Sequence, residues 1–236
     1  MTRDRKLPTK GRDDSADVDA FLRRVAAAPA PVKQGETGRL MFAMDATASR
    51  EPTWDRACQI QGEMFDATAS LGGLSVQLVY YRGFGECRAS KWVRDSRALV
   101  RAMTAVHCLG GHTQIRRVLQ HALDETNAQR VHALVFVGDA MEENVDELCA
   151  IAGELGLRGV PAFMFHEGPD PSASLAFRQI ARLTNGAYLR FDASSARQLK
   201  ELLGAVAVYA AGGRKALKDY SRKRGEAVLQ IAHQIK

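Results

Sequence analysis

Asp45, Thr47 and Ser49 stand two residues apart where an apolar run gives out, in Leu40 to Ser49 (LMFAMDATAS). In extended or gently turning backbone, alternate side chains face the same way, so one carboxylate and two hydroxyls can converge just beyond a strand. Hard, oxygen-only donors suit Mg²⁺, which prefers octahedral oxygen ligation at about 2.0 to 2.1 Å and keeps several waters. Taken alone, the two hydroxyls equally suit capping of a helix that follows the turn. Thr113, after Gly110, Gly111 and His112, is a third hydroxyl open to the same two readings, because the helical pattern of Ile115, Val118, Leu119, Ala122 and Leu123 begins just beyond it. Asp139 follows the apolar run Val131 to Val137 and Gly138, repeating the order of strand and then aspartate. Two parallel strands that each deliver an Asp at the carboxyl end place two carboxylates on one edge of a sheet, which capping does not explain.

Other clusters carry less. His107, Cys108 and His112 supply three zinc-type ligands with no fourth signalled nearby. Glu142 and Glu143 precede a helix and read as dipole-complementary surface rather than as a catalytic base. A second DATAS, Asp66 to Ser70, falls inside a helical pattern, where its side chains splay around the axis and cannot converge. Cys58, Cys87, Cys108 and Cys149 are scattered without a CxxC pair, so free thiols are expected rather than disulfides or a zinc knuckle.

The elements that must position the oxygens follow from periodicity. Residues 1–14 show no apolar period and are expected to be disordered; residues 15–38 read as a short amphipathic helix (Val18, Phe21, Leu22, Val25, with Ser15 as cap) and an Ala/Pro connector. Strands are expected over 39–44, 74–81, 87–93, 131–137, 160–166 and 187–191. Helices fall between them: one ending at Gly72 and Gly73, then 96–106, 115–123, one capped by Asn144 with Glu147, one opened by Asp170 and Pro171, and 194–209. The alternation predicts an α/β domain over 39–211, a doubly wound, mostly parallel sheet with helices on both faces and one antiparallel edge strand near Cys87. Gly212 and Gly213 are expected to close it.

At 236 residues and 46% hydrophobic, the chain suits one sizeable core. No apolar run reaches the ~18 residues of a membrane span and the N-terminus lacks a secretory pattern, so a cytoplasmic, non-membrane location is expected. The formal charge of +6 is uneven. Residues 212–236 hold seven Lys or Arg against Asp219 and Glu226. This basic, helical tail could neutralise nucleic-acid phosphates, but the stripe Val228, Ile231, Ala232 and Ile235 favours docking on a partner or self-association.

Asp45, Thr47 and Ser49 resemble the DxSxS or DxTxS signature of the von Willebrand factor A domain. Gly110 to Thr113 resembles that family's GGxT loop, and Asp139 the aspartate after its fourth strand. The resemblance implies a Rossmann-like fold and a metal-ion-dependent adhesion site. There, Asp45, Thr47, Ser49, Thr113 and Asp139 would hold Mg²⁺, with Mn²⁺ or Ca²⁺ as alternatives, and an open position would take an Asp or Glu of a partner protein. Bacterial proteins of this appearance act beside chaperone-like ATPases or in assembly and stress systems. Two positions depart from the pattern: Ala140 stands where glycine is common, and Arg50 where small residues are. Arg50 and His112 would flank the ligand; a loop arginine is expected to point to solvent.

The rival reading is an enzyme. A haloacid-dehalogenase-like phosphohydrolase is similar in opening on a strand that ends in a nucleophilic Asp, here Asp45. Its acid/base carboxylate two residues on is Thr47 in this chain, and Lys91 is the sole mid-domain lysine before Asp139. Hydrolysis also needs a water-activating base, and none is reliably signalled, so a non-enzymatic module is expected.

Overall fold

The computed structural model describes residues 22–25, 37–60, 73–191 and 196–234. Six strands form one sheet: β1 (Gly38–Asp45), β2 (Leu74–Arg82), β3 (Glu86–Ala89), β4 (Ala133–Gly138), β5 (Ala162–Glu167) and β6 (Ala187–Phe191). Their order is β3-β2-β1-β4-β5-β6, with β3 antiparallel at one edge and the other five strands parallel. Helices α1 (Glu51–Ile60), α2 (Ser96–Thr104), α3 (Ile115–Ala128), α4 (Val145–Leu157), α5 (Pro171–Leu183) and α6 (Ala196–Gln234) make the connections and cover both faces.

Strand β1 is buried along its whole length because it is sandwiched between two apolar layers. Leu40, Phe42 and Met44 pack with α1, α2 and α6 on one face; Met41 and Ala43 pack with α3, α4 and α5 on the other. A central strand with helices on both sides has no solvent face, and its sequence is accordingly apolar at both parities. Both capping signals hold in detail. Asn144 Oδ1 accepts the Asp146 and Glu147 N–H groups at the start of α4, and Asp170 Oδ1 accepts those of Ser172 and Ala173 at the start of α5.

Some local expectations shift. Strand β3 stops at Ala89, and Val93 joins β2 through a single bridge to Val76. Of the amphipathic helix expected over 15–25, residues 22–25 are helical and Val25 is buried in the core; its remainder, the Ala/Pro connector and the second DATAS lie outside the described residues. The backbone stays helical on both sides of Gly213, whose φ of 67° and ψ of −163° kink α6. Packing therefore runs past the boundary expected at Ala211: Leu217 is fully buried and Tyr220 packs on the same layer. Glycine is the residue that takes a positive φ at low cost, so it joins two helices here instead of ending the packed structure.

Candidate functional site

The carboxyl end of β1 is the point where the chain's connections diverge, to β2 on one side and β4 on the other, and such a switch point leaves a crevice above the sheet. Asp45 closes β1 and Asp139 follows β4 directly. A three-residue helical turn, Ala48–Arg50, then lifts the chain into α1. Asp45 Oδ1 accepts the Thr47 N–H at 2.7 Å, which folds the turn back over the strand end. Thr47 Oγ1 lies 3.3 Å from Ser49 Oγ, and Ser49 Oγ donates to Asp139 Oδ2 at 2.8 Å. Thr47, Ser49 and Asp139 thus form one chain of side-chain contacts across the crevice, tied to Asp45 through the Thr47 N–H.

Thr113 is the exception. Its hydroxyl accepts the Glu142 N–H at 3.0 Å, and its own N–H donates to the Glu142 carboxylate at 3.0 Å. This pairing zips loop 107–114 to loop 139–144, beside Asp139, and Thr113 makes no hydrogen bond to the other four candidates. Thr113 does not cap α3; Gln114 precedes that helix with no side-chain cap. Glu143 takes that role instead, accepting the N–H groups of Ile115 at 2.5 Å and Arg116 at 2.9 Å. The acidic pair therefore serves the start of α3 rather than the surface before α4. Gly111 is required by close approach, because a Cβ there would lie 2.0 Å from the Gly83 carbonyl oxygen.

Asp45 is 1% exposed, and its Oδ2 has no hydrogen-bond partner. Burial raises its carboxyl above the usual range; the Thr47 N–H opposes this, and the Asp139 charge adds to it. Beside it across the strand pair, the buried Tyr81 hydroxyl makes no hydrogen bond of ordinary geometry, and burial first, then the charge and the nearness of the Asp45 carboxylate, hold the phenol protonated. An ionised carboxylate in such a place is costly unless a cation meets it. The unpartnered oxygen, the half-buried Asp139 and the hydroxyls of Thr47 and Ser49 are hard donors that fit a small divalent cation.

The expectation that Arg50 points to solvent is wrong. Arg50 is 1% exposed, and its Nη1 lies 2.5 Å from Glu167 Oε2 and 4.0 Å from Asp139 Oδ2. The turn drives it inward, where Glu167 at the end of β5 compensates its charge and also accepts from Thr53 Oγ1 at 2.6 Å. Its Nε and Nη2 have no partners. Glu167 escaped the sequence reading, although the rule that found Asp45 and Asp139, an acid at the end of an apolar strand, applies to it equally. His112 is exposed, with Nδ1 3.3 Å from Glu142 Oε2 and its ring edge-on to the exposed Phe84 at 5.1 Å.

The competing constellations are not assembled. Among the described residues no group of three His, Cys, Asp or Glu is placed to hold a metal, so His107, Cys108 and His112 form no zinc site. None of the four cysteines is in a disulfide, and burial pushes the thiols of Cys58, Cys87 and Cys108 up to about 11. Lys91 lies between Ser90 and Val93, which pair with Leu78 and Val76 midway along β2, away from the strand end that carries Asp45. No helix among the described residues is long and apolar enough to cross a membrane.

No protein-family model and no curated protein sequence matches the chain. Solved structures do. One is the SpRpn10 VWA domain, with 15% identity over 75% of this chain and 98% of that one, at a TM-score of 0.53. This chain has the von Willebrand factor A fold. An aerotolerance-related membrane protein from Bacteroides fragilis NCTC 9343 matches with 15% identity over 72% of this chain and 98% of its own, at a TM-score of 0.55. Proximal thread matrix protein 1 from the mussel byssus, in a structure with a zinc-occupied MIDAS motif, matches with 15% identity over 75% of this chain and 47% of that one, at 0.58.

Proposed function

We propose that this VWA-fold chain is a non-enzymatic protein-interaction module that takes a partner's Asp or Glu through a divalent cation, Mg²⁺ by the hardness of the donors. The observation that carries the reading is the buried, unpartnered Oδ2 of Asp45, next to a Ser49–Asp139 contact that spans the crevice. Asp45, Thr47, Ser49 and Asp139 would hold the ion, with Thr113 on the adjoining loop as the fifth oxygen. The bound ion would supply residual positive charge and an open position for an outside carboxylate. The chain's own residues do the rest. Thr47 N–H fixes Asp45, Ser49 orients Asp139, and Glu142 and Glu143 hold loop 107–114 against the site.

The rim suits a protein ligand. Phe84 and Leu109 are exposed, and the Leu109 N–H donates to the Ala46 carbonyl, which seats this apolar pair immediately beside the strand-end turn. An acidic residue flanked by apolar ones on the partner complements such a surface. The expected result is that millimolar Mg²⁺ or Mn²⁺ raises the unfolding temperature of the wild type and leaves that of Asp139→Ala unchanged, while chelator abolishes capture of the partner from native extract. Equal unfolding temperatures of the wild type with metal and with chelator would reject the reading.

A further inference from the structure

The opposite edge of the sheet, where β1, β2 and β4 begin, holds a cavity of about 610 Å³ lined by Arg39, Ser75, Trp92, Arg94, Arg130 and His132 among others. Residues 39 and 45 are six strand positions apart, so this cavity lies about 20 Å from the Asp45 edge. Its volume falls within the ~300 to 1,000 Å³ of small-molecule clefts.

One wall is rigid. The Arg39 guanidinium lies 3.9 Å from the centre of the Trp92 ring, donates through Nη2 to Glu125 Oε2 at 2.9 Å, and donates through Nη1 to the Gln129 carbonyl. Trp92 Nε1 donates to the same Glu125 oxygen at 2.8 Å, so a single carboxylate anchors both side chains. Behind them, His132 Nδ1 accepts the Arg39 backbone N–H at 2.9 Å, which leaves the ring proton on Nε2. His132 is 3% exposed, and Nε2 has no hydrogen-bond partner. Burial first, then the charges of Arg130 and Arg39, push this imidazole down to about 4.

Charge is unbalanced here. Arg94 and Arg130 are exposed, and neither forms an ion pair among the described residues; the described lining holds three guanidiniums and no carboxylate, Glu125 being engaged behind it by Arg39 and Trp92. A site with two unmatched guanidiniums and a stacked aromatic wall is complementary to a compact dianion with several oxygen acceptors. Guanidinium forks match phosphate in both geometry and charge.

We propose that this cavity is a binding site for a phosphate-bearing small molecule, gripped by Arg94 and Arg130 against the Arg39–Trp92 wall. The proposal is independent of the metal reading. Its test is thermal unfolding of the full chain in sodium phosphate, in a nucleoside 5′-monophosphate, and in sodium chloride at matched ionic strength. At about ten times its dissociation constant, phosphate in either form raises the unfolding temperature by about 3 to 5 °C beyond chloride. Equal affinity for the two identifies the phosphate group alone as the ligand, and tighter binding of the nucleotide shows that the cavity also takes the organic portion. Arg94→Ala combined with Arg130→Ala weakens binding at least about tenfold and leaves the phosphate-free unfolding temperature unchanged. Asp45→Ala keeps the phosphate response in full. In the wild type, phosphate also moves the His132 titration upward, since a nearby anion favours the protonated ring. A phosphate shift no larger than that of chloride, or one of equal size in the double variant, overturns the proposal.

Discussion

Two buried arginines, one at each end of the sheet, are accommodated in different ways. Arg39 at the amino edge is engaged at both Nη atoms: Glu125 accepts from one, the Gln129 carbonyl from the other, and Trp92 stacks on its face. Arg50 at the carboxyl edge is held by Glu167 through Nη1, while its Nε and Nη2 go without a hydrogen-bond partner, as does Asp45 Oδ2 at the same edge. A buried polar group without a partner costs about 1 to 3 kcal/mol, so a fold keeps several together only where something else uses them. The amino edge spends its buried arginine on building a wall, and the carboxyl edge leaves its donors and acceptors available. The pairing of Arg50 with Glu167 also explains how a cation site can sit beside a fixed positive charge. Glu167 pairs with the arginine more closely than Asp139 does, at 2.5 Å against 4.0 Å.

The largest way to break this contrast is to strip Arg50 of its counterion. Glu167→Ala leaves a buried guanidinium uncompensated and is expected to cost about 3 to 5 kcal/mol in urea unfolding, whereas Arg50→Met combined with Glu167→Gln recovers most of that loss. If the single and double variants were equally destabilised, the pair would be packing rather than charge. At the other edge the effect runs through pH. The His132 pKa is lowered in the folded chain, so its contribution is complete above the ordinary value of 6.5 and is lost as pH falls from there to about 4. The difference in stability between wild type and His132→Asn should change by up to about 3 kcal/mol over that window and be flat above it. Smallest is Thr53→Val, which removes one hydrogen bond to Glu167 and should cost about 1 kcal/mol, with the metal response kept.

The sheet was legible because its central strands β1 and β4 are apolar at both parities and two helix starts carry Asn144 and Asp170 as side-chain caps, both local signals. The approach of Asp45 to Asp139 was legible for a topological reason, since parallel neighbours deliver their ends to one edge. What the sequence hides is pairing between distant segments. The inward turn of Arg50 depends on Glu167 at the end of β5, and Glu143 caps a helix that begins at Ile115, well before it in the chain. The kink at Gly213 misled for a different reason. A pair of glycines usually closes a helix, but here Leu217 repays the kink by packing back on the core. Thr113 shows the limit of motif spacing, because its hydroxyl is tied to the Glu142 N–H while Thr47, Ser49 and Asp139 touch in sequence.

The central claim is that Asp45 is a buried carboxylate kept for a cation. Calorimetric titration of Mn²⁺ into the wild type and into Asp45→Ala tests it directly. The expected result is a saturable heat of one ion per chain in the wild type and none in the variant. Heats that are absent from both proteins, or the same in both, would contradict it.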